Sequence, residues 1–183
     1  GSCLCGASAV FRSKDIRMIR QVAVLGAGTM GAQIAAHAAN AGLAVLLLDL
    51  SENLVQAGLK NLTRMSPPPL FIPERIQQIE TGSFDKDLPR IRHCDWVLEA
   101  VAEDAGIKKQ LLERVDAVRR PGAFVTTNTS GLSVTMLAGG RTPDFKRHWF
   151  GTHFFNPPRY MKLLEIIPAA ETDPDVLAQF EKF

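Results

Sequence analysis

No apolar run in this chain approaches the ~20 residues that a bilayer-spanning helix requires, so no membrane span is expected. Charge of one sign is equally scarce. The formal net charge is +2 and the lysines and arginines form no run, which argues against nucleic acid or an anionic membrane as a partner. Cysteine is rare and odd in number: Cys3, Cys5 and Cys94 show no ligand-like pattern with histidine. Neither a disulfide framework nor a metal centre is expected, and free thiols in a reducing, cytoplasmic compartment are. A convincing nucleophile elbow is missing too, so hydrolysis is not suggested. Residues 1–17 lack clear periodicity and an apolar core long enough for a secretory signal. They are read as a tail or cloning-derived segment, poorly ordered and outside the fold, with Met18 a candidate natural start.

What remains is the composition of an ordinary globule, 46% apolar and 22% charged over 183 residues, enough for one well-buried domain. Val22 to Leu25 form a short apolar run that stops at a glycine and reads as a strand buried on both faces. Gly26, Gly28 and Gly31 then follow with GxGxxG spacing around Thr29 and Met30. In a dinucleotide fold the first glycine turns the chain, the second admits the pyrophosphate, and the third lets the helix lie against the sheet. The helix N-terminus then offers N–H groups to the anion. Small residues line that helix (Ala32, Ala35, Ala36, Ala38, Ala39), and Asn40-Ala41-Gly42 ends it. A second apolar strand, Ala44 to Leu48, terminates in Asp49, about twenty residues past the glycines, where a carboxylate accepts ribose hydroxyls and repels a 2′-phosphate. The cofactor read from these residues is NAD, and the fold class is α/β, a doubly wound, mainly parallel Rossmann-type sheet with helices on both faces.

Further along, Ser51 caps a helix carrying Leu54, Val55, Leu59 and Leu62, which must finish before Pro67-Pro68-Pro69. Pro73 opens another short helix, with Ile72, Ile76 and Ile79 on one side and Gly82 as its terminator; this extra helical material is a candidate surface for a long substrate. Cys94 to Val101 reads as a buried strand ending in Ala102-Glu103-Asp104. Glu103 is placed there to face a cofactor or, equally well, to stabilise the dipole of the following helix, whose apolar face is Ile107, Leu111, Leu112, Val115 and Val118. Ala123 to Thr127 makes the next strand and ends in Asn128-Thr129-Ser130-Gly131, at the sheet edge that should carry the pyrophosphate, so the Ser130 hydroxyl is expected in the crevice.

Between His148 and Pro168 lie two strand-like runs joined by an Asn-Pro-Pro turn, with His153 in the first and Glu165 in the second. A carboxylate in so apolar a run needs a partner. A hairpin-like return would bring it to His153, fixing the imidazole tautomer and leaving the other nitrogen free as a base. Asp173-Pro174 looks like a capped helix start, and the chain is expected to be a fragment cut before a second domain.

With VAVLGAGTMG, DWVLEAVAED, TNTSGLSV and GTHFFNPPRYMKLLEIIP in order over residues 18–183, the chain resembles the NAD-binding domain of the L-3-hydroxyacyl-CoA dehydrogenases of fatty acid β-oxidation, notably the large bacterial multidomain members. The resemblance implies that His153 is the base for the 3-hydroxyl, Glu165 its orienting partner, and Ser130 a hydroxyl bonded to the substrate oxygen. It implies that Glu103, Lys108 and Asn128 lie near the nicotinamide and Asp49 at the adenosine ribose. Asn156 is assigned to holding the turn, and Lys60 and Arg64 are candidate CoA contacts. It further implies an acyl-CoA substrate and a missing helical C-terminal domain that contributes a catalytic asparagine, closes the acyl site and forms the homo-oligomer, so that these 183 residues alone would turn over little or nothing. Two other functions stay open at this point: a dinucleotide-binding module in which the dyad is structural, and a dehydrogenase of small free 3-hydroxy acids, against which the histidine of HFFNP counts.

Overall fold

A computed structural model describes residues 18–183; the tail expected over residues 1–17, with Cys3 and Cys5, lies outside them. Seven strands form one sheet in the order β3-β2-β1-β4-β5-β6-β7. The chain starts in its middle with β1 (Gln21–Leu25), crosses through α1 (Thr29–Asn40) to β2 (Ala44–Asp49), and continues through α2 (Glu52–Leu62) and a 3₁₀ turn (Pro73–Gln78) to the edge strand β3 (Ile79–Ser83). A short α3 (Phe84–Asp87) and a second 3₁₀ turn (Leu88–His93) return it to β4 (Trp96–Glu99) on the other side of β1. From there α4 (Ala105–Val118), β5 (Phe124–Thr127), two short helices α5 (Val134–Leu137) and α6 (Pro143–Arg147), and β6 (Trp149–Phe154) continue outward. All these pairings are parallel. The last strand, β7 (Leu164–Pro168), runs antiparallel to β6, and α7 (Pro174–Phe180) follows. The strand order reverses between β1 and β4, and in such sheets the crevice at that reversal receives ligand beyond the carboxyl ends of the strands.

The continuous apolar runs follow from burial on two sides. Val22 and Val24 join one core with α1, α2 and Phe180 of α7, while Ala23 and Leu25 join the other with Leu111, Leu112 and Val115 of α4. Alternate side chains point to opposite faces, so a strand covered on both must be apolar at every position. Phe180 meets the rings of Trp96, Phe124 and Phe150 at centroid distances of 5.1, 5.3 and 4.9 Å, which fixes α7 on its face of the sheet. The caps are those expected: Ser51 accepts from the Leu54 N–H at 3.4 Å, Gly42 follows α1 at φ +84°, and Asp173 accepts from the Asp175 N–H at 2.9 Å. Among the described residues no helix is long and apolar enough to cross a membrane.

One expectation is overturned. Ile72, Ile76 and Ile79 do not share a helix ending at Gly82: the 3₁₀ turn stops at Gln78, and Ile79 to Ser83 extend parallel to β2. None of the turn's residues is buried, so it has no apolar stripe to hold a longer helix, whereas Ile79 is buried beside β2. Asp87 also packs where a Gly82 side chain would stand, and its carboxylate accepts from the Ser83 N–H at 2.9 Å. Of the material proposed as a substrate surface, Ile79 to Ser83 are therefore the sheet's parallel edge strand, and Pro73 to Gln78 remain an exposed 3₁₀ turn.

Gly26 has φ +104°, and a Cβ there would lie 2.6 Å from the Ala100 carbonyl oxygen; a Cβ on Gly31 would lie 1.8 Å from that of Gly26. Gly28 has nothing within 4 Å. Gly31→Ala should therefore destabilise the domain by about 2 kcal/mol or more, a fall of roughly 4–8 °C in Tm. Gly28→Ala should leave Tm near the wild-type value. Equal melting of the two variants would contradict this division of roles.

Candidate active site

The glycine loop and the end of β2 form one side of the crevice. Asp49 accepts from the Ala27 N–H at 2.7 Å and from the Leu50 N–H at 2.6 Å, so its carboxylate is tied to the loop it faces and still has lone pairs to offer. A cleft of about 480 Å³ runs past Gly26, Gly28 and Asp49 to Val101, Ile107 and Arg114. A second, of about 360 Å³, is lined by Gly28, Thr29, Met30, Glu103, Lys108, Asn128 and Ser130 among others. Gly28 is common to both, and the open space at its missing side chain is where a pyrophosphate could approach the backbone. The loop, acid and clefts thus fit an extended dinucleotide. Gly31 serves by close packing and lines neither cleft.

Glu103 has a more specific placement than its position after β4 suggests. Its Oε1 accepts from the Thr129 hydroxyl, the Ser130 N–H at 3.1 Å and the Gly131 N–H at 3.0 Å, and its Oε2 lies 3.3 Å from Lys108 Nζ. Partial burial by itself would raise this carboxyl; the bonds from Thr129 and Gly131 and the Lys108 ammonium outweigh it and hold the pKa down at about 2. The α4 N-cap is the neighbouring acid, Asp104, which accepts from the Ile107 N–H at 2.9 Å. Glu103 thereby shapes the exposed turn on which Ser130 sits. Lys108 lines the same cleft, but its ammonium is committed to protein: Glu99 at 2.7 and 3.0 Å, the Val101 carbonyl at 3.3 Å, and Glu103. Asn128 accepts from the Phe154 N–H at 2.9 Å through Oδ1, leaving its NH₂ end for a ligand.

That bond joins the crevice to the end of β6. His153 stands opposite Glu165 in the antiparallel register, and its Nδ1 lies 2.8 Å from Glu165 Oε2. His153 is 21% exposed and packs against the ring of Phe155, 4.6 Å between centroids; Glu165 is 49% exposed. The pair is accessible at the carboxyl end of the parallel sheet, beside the cleft that Asn128 lines. Asn156 accepts from Gln33 Nε2 at 3.0 Å, which ties the turn after His153 to α1. Lys60 and Arg64 lie exposed at the end of α2 and just beyond it. Thr129, Thr127, Gln33 and Glu99 hold the residues of this site in place and were missed by sequence reasoning; for Glu99 there was a signal, a lone charge at the end of the apolar run Trp96 to Leu98.

The family model described as "3-hydroxyacyl-CoA dehydrogenase, NAD binding domain" matches residues 21–183. The chain belongs to this family. Similar proteins include a probable 3-hydroxyacyl-CoA dehydrogenase of Bacillus subtilis, 43% identical over 180 residues, and one of Deinococcus radiodurans, 42% identical over 172. The matches cover 87% and 90% of this chain but 23% and 50% of those proteins, so the chain spans half or less of their length. Among solved structures, the 3-hydroxybutyryl-CoA dehydrogenase of Escherichia coli K12 is similar with a TM-score of 0.79 at 32% identity, over 89% of this chain and 35% of that one. That of Ralstonia eutropha gives 0.78 at 29%, over 90% and 59%. The family's cofactor, NAD, is the one read from Asp49 and the glycine loop.

Because Glu103 has a folded-state pKa held below its ordinary value of 4.5, its contribution to stability is complete above that value and fades as pH falls toward about 2. Glu103→Gln should therefore melt below the wild type at pH 7, and the gap should close as both are acidified through that window. A gap that persists at pH 2 would contradict the assignment.

Proposed function

We propose that this domain supplies the NAD site and the catalytic base of an L-3-hydroxyacyl-CoA dehydrogenase that oxidises the 3-hydroxyl to a ketone. The observation that carries the proposal is the 2.8 Å contact between His153 Nδ1 and Glu165 Oε2 on the sheet edge that also bears the glycine loop. When bound, NAD accepts the hydride that leaves C3. His153 takes the hydroxyl proton on Nε2, because Nδ1 is turned toward Glu165, and the carboxylate stabilises the imidazolium that results. Ser130 donates a hydrogen bond to the same substrate oxygen and keeps it at the imidazole. Thr29, Met30, Glu103, Lys108 and Asn128 form the wall that seats the nicotinamide end, with the Asn128 NH₂ as the free donor. Asp49 takes the adenosine ribose and disfavours a 2′-phosphate. Misplacing the imidazole by ~1 Å could cost ~100-fold in rate.

The acyl-CoA substrate class is supported by the names of the relatives, which are acyl-CoA enzymes. Those relatives extend well beyond the matched stretch, and to that extra length we assign closure of the acyl site and assembly into a homo-oligomer. A reducing, cytoplasmic setting fits Cys94, a free and fully buried thiol that burial and then the neighbouring Asp95 push up to about 12. The domain boundaries proposed are residues 18–183.

Two measurements test this. Calorimetry on the chain should detect NADH binding, with acetoacetyl-CoA turned over very slowly. In a protein that carries this chain within the relatives' full length, His153→Gln should lower kcat by roughly 10²–10⁴-fold while NADH still binds. Normal kcat in that variant would overturn the assignment.

A further inference from the structure

Glu99 ends β4 and is completely buried, in a strand whose other residues are Trp96, Val97 and Leu98. A carboxylate there is costly unless its lone pairs are used. They are. Oε1 accepts from Lys108 Nζ at 2.7 Å and from the Val101 N–H at 2.7 Å; Oε2 accepts from the Thr127 hydroxyl at 2.6 Å and from Lys108 at 3.0 Å. Lys108, 1% exposed, also faces Glu103, and among the described residues these two carboxylates are the charged groups paired with it.

From Glu99 two arms lead to one turn. The first passes through Lys108 to Glu103, which holds the Thr129 hydroxyl and the Ser130 and Gly131 N–H groups. The second passes through Thr127, whose hydroxyl oxygen accepts from the Thr129 N–H at 3.2 Å. Ser130 itself is exposed on a segment outside any helix or strand, so its geometry depends on what grips its backbone. A buried ion pair is a poor stabiliser, since an apolar pair of similar size is often as good or better. Its value here must lie in geometry.

We propose that Glu99 is a positioning residue for Ser130: a buried anchor that, through Lys108–Glu103 and through Thr127, sets the turn presenting the Ser130 hydroxyl to the substrate oxygen. The proposal rests on the role given to Ser130 above. Glutamine at position 99 keeps the shape and an acceptor for Thr127 but removes the charge that fixes Lys108, so the turn should loosen while the strand remains.

Amide hydrogen exchange on this chain, read by NMR, tests the relay without substrate or turnover. Glu99→Gln should speed exchange at the Ser130 and Gly131 N–H groups by ~10-fold or more, leaving Val24 and Val125 unchanged, and Glu103→Gln should expose the same two amides. Unchanged exchange at those amides, or an equal rise at all four, overturns the proposal. If Glu99→Gln does not fold, Glu99→Gln with Lys108→Met leaves no lone buried charge and is read by the same criteria. In the relatives' full length, Glu99→Gln should lower kcat by ~10-fold and should add nothing to the loss of kcat in Ser130→Ala. Additive losses count against the relay. Normal kcat in Ser130→Ala would sink the substrate role of Ser130 and with it the purpose assigned to Glu99, whereas unchanged exchange would sink the relay alone.

Discussion

The site depends on the antiparallel pairing of β6 with β7. The parallel strands each deliver one chain end to the crevice: the glycine loop from β1, Asp49 from β2, Glu103 after β4, Asn128 after β5. None of them can bring a second side chain back to the height of His153. The reversal through the Asn156 turn does, because it sets Glu165 opposite His153 in the ladder. Side chains alternate along a strand, so a slip of one residue would put Leu164 or Ile166 there and send the carboxylate to the other face. The register is held at both ends. Gln33 bonds Asn156 at the turn, and beyond β7 the Thr172 hydroxyl donates to the Trp149 carbonyl at 2.6 Å. Gly151 sits opposite Ile167, with room for a Cβ only 3.1 Å from its Cβ, so the strands approach closely just before the histidine.

The two charged arrangements at this sheet edge have different physical purposes, and burial tells them apart. The His153–Glu165 pair is partly open to water, where an ion pair contributes little to stability, about 0–1 kcal/mol. Its proposed use is orientation of a ring that must meet a ligand. The Glu99–Lys108 pair is closed off, cannot reach a ligand through Glu99, and has the proposed role of setting the turn around Ser130 through its hydrogen bonds. In the proposed reaction one pair is exposed because it must react; in the proposed relay the other is buried because it must not move.

Much of this was legible in the residues. Strands covered on both faces read as unbroken apolar runs, which is why β1 and β2 stand out, and Asp49 follows at the distance a dinucleotide requires. The histidine and glutamate were legible because a lone carboxylate between Leu164 and Ile166 needs a partner, and a proline turn offered one. Edge strand β3 was not legible, because it is half exposed and Ile72, Ile76 and Ile79 happen to fall at helical spacing. The choice between Glu103 and Asp104 as helix cap could not be made from two adjacent acids; it depends on where Thr129 and Gly131 arrive from β5. Glu99 was passed over for the same reason, since its partners lie up to 28 residues away in sequence and meet only when the sheet forms.

In the proposed mechanism Glu165 selects which nitrogen of His153 is left to accept a proton. Nitrogen-15 shifts of the His153 ring, in the neutral imidazole, measure this directly. The expected tautomer carries the proton on Nδ1 and leaves Nε2 bare, and the preference is lost in Glu165→Gln. A ring carrying its proton on Nε2, or one averaging between the two forms in the wild-type chain, would contradict it.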